Sequence, residues 1–332
     1  MPNNKPKLIS GIRPTGKLHL GNYLGALKQF VELQDSNEYE CLFFIADYHS
    51  LAGGFESSKN REQIIDTTAS YMAAGLSPKK STIFIQSSIQ EHTNLAWILS
   101  SLASFGKLKR MTQFKEKSKQ KDNVDVGLFY YPVLMSADIL LYDAKKVPVG
   151  EDQTQHLELT RDLARKFNNR FSDTFEVPEP VMTEAPRIKD LQNPENKMSK
   201  SSPKGCLFID DSPKVIKDKI MSALTDSGNN IIFDPENKPG ISNLILIYSS
   251  LADLSREKIK DEFQDSGYGD FKKSLSKLII DYFEDYRNKK ENLMKDKERT
   301  EKTLRAGNKK ARKIAAKKMT EVKQKIGIEV IK

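Results

Sequence analysis

The chain has 332 residues, 38% hydrophobic and 30% charged, with a mean hydropathy of −0.57, which is enough to bury the core of one large domain or two ordinary ones. No apolar run approaches the roughly 18 to 20 residues of a membrane span, and no secretory leader precedes Leu8, so a soluble, cytosolic chain without a membrane partner is expected. The net charge of +9 is segregated: residues 287–332 hold 17 Lys or Arg against 6 Asp or Glu, a surplus of eleven, while the preceding residues sum to −2. That tail suits a polyanion and equally a solvated helix face.

From residue 8 to about 190, short apolar runs alternate with amphipathic stretches. Residues 8–9, 42–45, 82–86 and 147–149 read as buried strands, and 20–33, 61–74, 94–103 and 155–167 as helices. The alternation predicts an α/β fold, a Rossmann-like doubly wound parallel sheet with its ligand crevice at the carboxyl ends of the strands. Beyond residue 205 the strand signals fade, and helices are expected at 212–224, 241–251, 256–264, 271–305 and 309–326. A catalytic domain over 1–205 and an all-helical domain over 206–332 follow, with the last helix free to pack back on the first domain. Polar residues 115–125 read as a mobile loop. His92 on a loop and Trp97 on a packed helix are expected to be structural. Cys41 and Cys206 have no metal or redox spacing, so no protein-held metal is expected.

Three segments carry chemistry. The first, Gly11-Ile12-Arg13-Pro14-Thr15-Gly16-Lys17-Leu18-His19-Leu20-Gly21-Asn22, is a glycine-rich strand-to-helix turn of the kind that presents backbone N–H groups to phosphate. His19 and Asn22 share a helical face, and Gly21 leaves a nucleotide base room to approach. The second, Lys197-Met198-Ser199-Lys200-Ser201, lies between the turn formers Asn193-Pro194 and Ser202-Pro203 and reads as a loop. Its lysines can neutralise charge on a leaving pyrophosphate; taken alone it could be a basic surface turn.

The third is a helix over 131–142, on which Tyr131, Met135 and Asp138 share one face. Asp138 in apolar company is costly unless it accepts hydrogen bonds. As an acceptor-only group it suits a donor-only indole N–H between apolar walls; the alternative is a core helix with a terminal charge. At 147–156 a strand, a glycine turn and a helix start rich in acceptors follow, where Glu151 reads as an ordinary helix N-terminal acid.

The first two segments resemble the signatures of class I aminoacyl-tRNA synthetases. Residues 197–201 match the second signature in full, while Asn22 replaces the second His of the first, keeping a donor and surrendering a possible positive charge. Residues 131–142 resemble the amino-acid pocket helix of bacterial-type tryptophanyl-tRNA synthetases, in which the matching aspartate reads the indole nitrogen. Tyrosine-specific relatives usually carry Gln at the place of Met135. Residues 45–49, 111–118 and 238–244 match as well, so the likeness runs from about residue 8 to beyond 250.

The resemblance implies activation of L-tryptophan by ATP, with Mg2+ carried on the ATP phosphates, transfer to tRNA(Trp), a homodimer, and anticodon binding by residues 206–332. By resemblance, catalysis falls to His19, Asn22, Lys197, Lys200 and Lys117, the last equally readable as a solvated lysine. Tryptophan contacts fall to Asp138, Met135, Tyr131, His49 and Gln153, the last for the ammonium group. ATP contacts fall to Arg13, Thr15, Gly21, Asn22, Gly150, Asp152, Ile188, Lys197, Met198, Ser199, Lys200 and Ser201. Arg13 stands where many members have Gln, which leaves its role open. A tyrosine-specific synthetase and a non-catalytic synthetase-like regulator that binds RNA or a metabolite are the alternatives.

Overall fold

The computed structural model describes residues 5–14, 16–52, 56–119, 124–150, 153–182 and 186–328, apart from the side chain of Lys117. Its strands are β1 (Lys7–Ile12), β2 (Glu40–Ile45), β3 (Ser81–Ile85), β4 (Lys146–Val149) and β5 (Glu179–Met182). Between them run α1 (Leu20–Asn22), a π-helical turn (Tyr23–Leu27), α2 (Lys28–Asp35), α3 (Tyr48–Leu51), α4 (Ser57–Ala73), α5 (Glu91–Ser100), α6 (Phe105–Lys109), α7 (Thr112–Ser118), α8 (Val126–Leu140) and α9 (Thr154–Arg170). Then follow α10 (Pro213–Met221), α11 (Pro239–Ala252), α12 (Arg256–Glu262), α13 (Tyr268–Tyr282), α14 (Glu284–Lys295) and α15 (Lys297–Lys325). Among the described residues no helix is long and apolar enough to cross a membrane.

The chain divides into two compact units, one of Met1–Gly16, Val31–Glu184 and Asp296–Lys332, the other of Lys17–Phe30 and Ala185–Lys295. These units are compact groupings of contacts and differ from the expected cut at residue 205 in two segments, of which the last helix was expected to be free to pack back. Segment 17–30 belongs with the later helices because residues 18–20 pair with 207–209: Leu20 N–H donates to Leu207 O at 2.8 Å and Ile209 N–H to Leu18 O at 3.1 Å. Residues 296–328 belong with the sheet because α15 packs on β3.

In the first unit the sheet is parallel throughout, in the order β3-β2-β1-β4-β5. Strands buried on both faces read as continuous apolar runs, and β2, with Cys41 to Ile45 all buried, is the clearest case. Strand order reverses between β1 and β4, whose carboxyl ends are the expected ligand crevice. Edge strand β5 escaped the sequence reading because Glu179-Pro180 lacks apolar alternation, and proline suits an edge.

The other edge, β3, is covered by α15. Gly307 lies so close to the sheet that a Cβ there would sit 1.8 Å from Ile83 O, and Ala311 and Ala315 follow at helical spacing, fully buried. Asn308 Oδ1 accepts the edge N–H of Ile85 at 2.9 Å, doing what a neighbouring strand would do.

The second unit buries Ile216, Ile220, Ile241, Leu244, Phe271, Leu275 and Ile279, with α10 and α11 packed on α13. The single helix expected over 271–305 is three: α13 ends at Tyr282, and Asp296 restarts the chain by accepting the N–H of Arg299 at 3.2 Å. Apolar spacing persists across both breaks, which is why the pattern fused them. The polar stretch 115–125 begins as helix α7, and its residues 120–123 lie outside the described ones.

Candidate active site

In the first unit the site is built around Asp138 on α8. Its carboxylate is 1% exposed and accepts hydrogen bonds from three side chains. His49 Nε2–H, on α3, reaches Oδ2 at 2.7 Å; Gln86 Nε2–H reaches Oδ1 at 2.8 Å and His92 Nδ1–H reaches the same oxygen at 2.6 Å. Each donor is itself held. Gln86 Oε1 accepts from Tyr48 N–H at 3.1 Å, and the Tyr142 hydroxyl lies 2.8 Å from His92 Nε2, holding the ring from behind. Burial pushes the Asp138 pKa up, but the hydrogen bonds and charges of His49 and His92 outweigh it and hold the group at about 2. Burial and the Asp138 charge push the Tyr142 phenol upward, so it stays protonated.

Tyr131, two turns before Asp138, meets the His49 ring edge to face at 6.3 Å between centroids. Its hydroxyl lies 3.0 Å from Gln113 Oε1 and 2.8 Å from His156 Nε2, tying α8 to α7 and α9. Met135 is half-buried against the core of the unit. Gln153 stands at the N-cap position of α9, three residues after Gly150, which follows β4, and its N–H donates to Gly150 O at 3.0 Å. Arg13, after β1, is exposed.

In the second unit His19 and Asn22 close on each other. Asn22 N–H donates to His19 Nδ1 at 3.2 Å, and His19 N–H donates to Asn22 Oδ1 at 3.3 Å. With Nδ1 accepting, the ring carries its proton on Nε2, free of this box. Burial, then the charges of Lys200 and Lys197, lower the His19 pKa to about 4, so the imidazole is neutral. Gly21 fits against that ring, where a Cβ would come within 3.1 Å of Nδ1, and faces Ile188.

Lys197 to Ser201 sit on a loop whose stem is tightly fixed. Met198 N–H donates to Ile188 O at 3.0 Å, Asp190 N–H to Asn196 O at 2.9 Å, and Leu191 N–H to Gly205 O at 2.9 Å. Asp190 Oδ1 accepts the N–H groups of Gln192 and Asn193, and Asn243 on α11 clamps the backbone of Lys189 at both N–H and C=O. Met198 is buried; Lys197, Ser199 and Ser201 are exposed and Lys200 is half-buried. Two lysines, an imidazole N–H and an amide form a donor set suited to phosphate oxygens.

Thr15, Glu151 and Asp152 lie outside the described residues, as does the side chain of Lys117 on α7. His92, expected to be structural and on a loop, stands instead on helix α5, where it holds Asp138. A histidine between apolar residues of one helix face was its only sequence signal. Trp97, expected on a packed helix face, is 76% exposed. Gln86, Tyr142, Asp190 and Asn243 were not singled out. Asn243 lies in the matched run 238–244, whereas Asp190 and Gln86 give no local signal, because what makes them matter is tertiary.

A family model for class I tRNA synthetases (W and Y) matches residues 1–284. A tryptophan–tRNA ligase of Caldanaerobacter subterraneus subsp. tengcongensis is 46% identical over 329 residues, covering 97% of this chain and 98% of the relative. One from Bacillus anthracis is 44% identical, covering 97% and 98%. The tryptophanyl-tRNA synthetase crystal structure from Mycoplasma pneumoniae superposes with a TM-score of 0.89 at 33% identity, covering 98% of both chains. That from Campylobacter jejuni, solved with ADP and tryptophan, gives 0.83 at 35% identity, covering 97% and 99%.

Proposed function

We infer the reaction from a plain premise: the chain belongs to the class I tRNA synthetases of the tryptophan and tyrosine group. It is a tryptophan–tRNA ligase, joining L-tryptophan to tRNA at the expense of ATP. In the first step the tryptophan carboxylate attacks the α-phosphorus of ATP in line, forming the adenylate and releasing pyrophosphate. In the second a hydroxyl of the terminal tRNA ribose attacks the adenylate carbonyl and AMP leaves. No side chain need act as a covalent nucleophile, because positioning and charge stabilisation carry such chemistry.

The observation that carries the residue assignment is the buried, ionised, immobilised Asp138. A carboxylate offers about four lone-pair directions, and three donors already engage it. The indole N–H of tryptophan is the fourth, arriving at Oδ2, with Tyr131, Met135 and His49 as walls and Gln153 for the ammonium group. A tyrosine side chain offers a hydroxyl in place of a donor-only N–H, and Met135 gives that hydroxyl no polar partner.

His19 Nε2–H, Asn22, Lys197 and Lys200 hold the triphosphate, and the resemblance adds Lys117 to the phosphate contacts. In the second unit Gly21, Ile188, Met198, Ser199 and Ser201 are assigned to the nucleotide, and the resemblance assigns further ATP contacts to Arg13, Thr15, Gly150 and Asp152. By the family resemblance Mg2+ would come in on the ATP phosphates and neutralise their charge there. The helices of 206–295 take the anticodon region. A homodimer through the side chains of Trp97, Phe105 and Val126, exposed on α5, α6 and α8, and residence in the cytosol complete the proposal.

The test is ATP–pyrophosphate exchange with the full set of amino acids. Tryptophan alone should support it. Asp138→Asn should weaken tryptophan use by roughly 1–3 kcal/mol; exchange untouched by that change sinks the pocket assignment.

A further inference from the structure

The charge surplus of the tail becomes a surface once α15 is seen from both sides. Its inner face, Leu304, Gly307, Ala311, Ala315, Met319 and Val322, is buried against the sheet unit. The helix is also bolted there by polar contacts. Arg312 donates to Ser88 O at 2.6 Å, and the buried Lys318 ammonium pairs with Asp143 at 2.9 Å and Glu321 at 2.8 Å. The opposite face therefore has a fixed orientation, and from Lys302 onward its charged side chains are all basic.

Lys302, Arg305, Lys309, Lys313 and Lys317 are exposed along that face, at spacings that keep them on one side of the helix. The only acid between residues 302 and 325 is Glu321, already engaged by Lys318. Among the described residues no carboxylate comes within ion-pair range of Lys302, Lys309, Lys313 or Lys317, while Arg305 reaches Glu301 and Lys310 reaches Glu40. A shallow cleft lined by Arg305, Asn308, Lys309, Arg312, Lys313 and Ala316 runs along the same face. A solvated helix intersperses acids with bases because like charges at these spacings repel. A stripe without acids is relieved by a polyanion, which releases its counterions on binding.

We propose that the outer face of α15, from Lys302 to Lys317, is a docking surface for the phosphodiester backbone of RNA, a hold on tRNA that belongs to the sheet unit rather than to the helices of 206–295. The proposal rests on the tRNA ligase reading above. The stripe is about 22 Å long at 1.5 Å per residue, long enough to meet several successive phosphates and too long for one small anion. An anionic membrane is the poorer fit, since α15 exposes no large apolar side chain to anchor in lipid.

The experiment compares wild type with the combined variant Lys302→Gln, Lys309→Gln, Lys313→Gln, Lys317→Gln, all four at exposed positions. Binding of tRNA across a salt series should weaken at least about tenfold, with the slope of log affinity against log salt falling by roughly 0.7–0.9 per lost phosphate contact. The KM for tRNA in aminoacylation should rise, while tryptophan-dependent pyrophosphate exchange and thermal unfolding stay as in wild type. Unchanged tRNA affinity and salt slope would overturn the proposal. So would loss of binding to phosphatidylserine vesicles with tRNA binding intact, which would assign the face to membranes. If wild type itself shows no tryptophan-dependent exchange, the ligase reading fails, and the tRNA and vesicle titrations still decide what the face binds.

Discussion

In the proposed reaction Asp138 and the lysines of 197–201 both do electrostatic work, and the chain holds them in opposite ways. Asp138 is stripped of water and gripped by His49, Gln86 and His92, each braced from behind or packed in place. Lys197 stands in solvent on a loop whose stem is fixed through Ile188, Asp190, Leu191 and Asn243. A group that must recognise a rigid ligand gains from being set in advance, because its selectivity is the penalty for an imperfect partner. A group that must meet charge appearing only as pyrophosphate departs gains from a long, hydrated reach over a firm base.

The contrast breaks most visibly in Asp138→Ala. Removing the acceptor strands three buried donors, and about 3–5 kcal/mol of unfolding free energy should vanish, read from urea denaturation. An unshifted midpoint would mean that the donors find other partners and that the network does not fix the acid.

Lys197→Ala and Lys200→Ala should do the reverse. Each should cut the exchange kcat by about a hundredfold to a thousandfold, leave the tryptophan KM alone, and move stability by less than about 0.5 kcal/mol. A large stability loss would show the lysines to be structural after all.

The smallest effect is a separation in pH. His19 has a folded pKa near 4 against 6.5 unfolded, so the unfolded chain binds the extra proton. Its contribution is whole above pH 6.5 and drains away as pH falls toward 4, by an amount on the order of 2–3 kcal/mol. Asp138, held near 2 against 3.8, keeps its contribution down to pH 3.8 and loses it only below. His19→Gln should flatten the loss between pH 6.5 and 4 in a urea-midpoint series and leave the steeper acid limb in place. Identical slopes for variant and wild type would refute the neutral, buried imidazole.

The sheet was legible because β1, β2 and β3 are apolar runs that nothing but a buried parallel strand explains, and the two signatures were legible because local chemistry defines them. The partners of Asp138 were not, because Gln86 and His92 come from elements far from residue 138 in sequence, and no spacing encodes their meeting. The helix breaks at Phe283 and Asp296 were hidden by apolar periodicity that runs through them. The place of α15 was hidden because its charge drew attention while its docking face is made of Gly307, Ala311 and Ala315, residues too small to register as a hydrophobic stripe.

That small-residue face has a consequence for biosynthesis. A bare strand edge invites pairing with any passing extended chain, and the helix that shields β3 leaves the ribosome after every strand of the sheet it protects. During translation the unit therefore passes through a stage in which its outermost ladder stands open, and the arrival of residues 304–315 closes it. In a nascent polypeptide of this design the safeguard against aggregation is made after everything it safeguards.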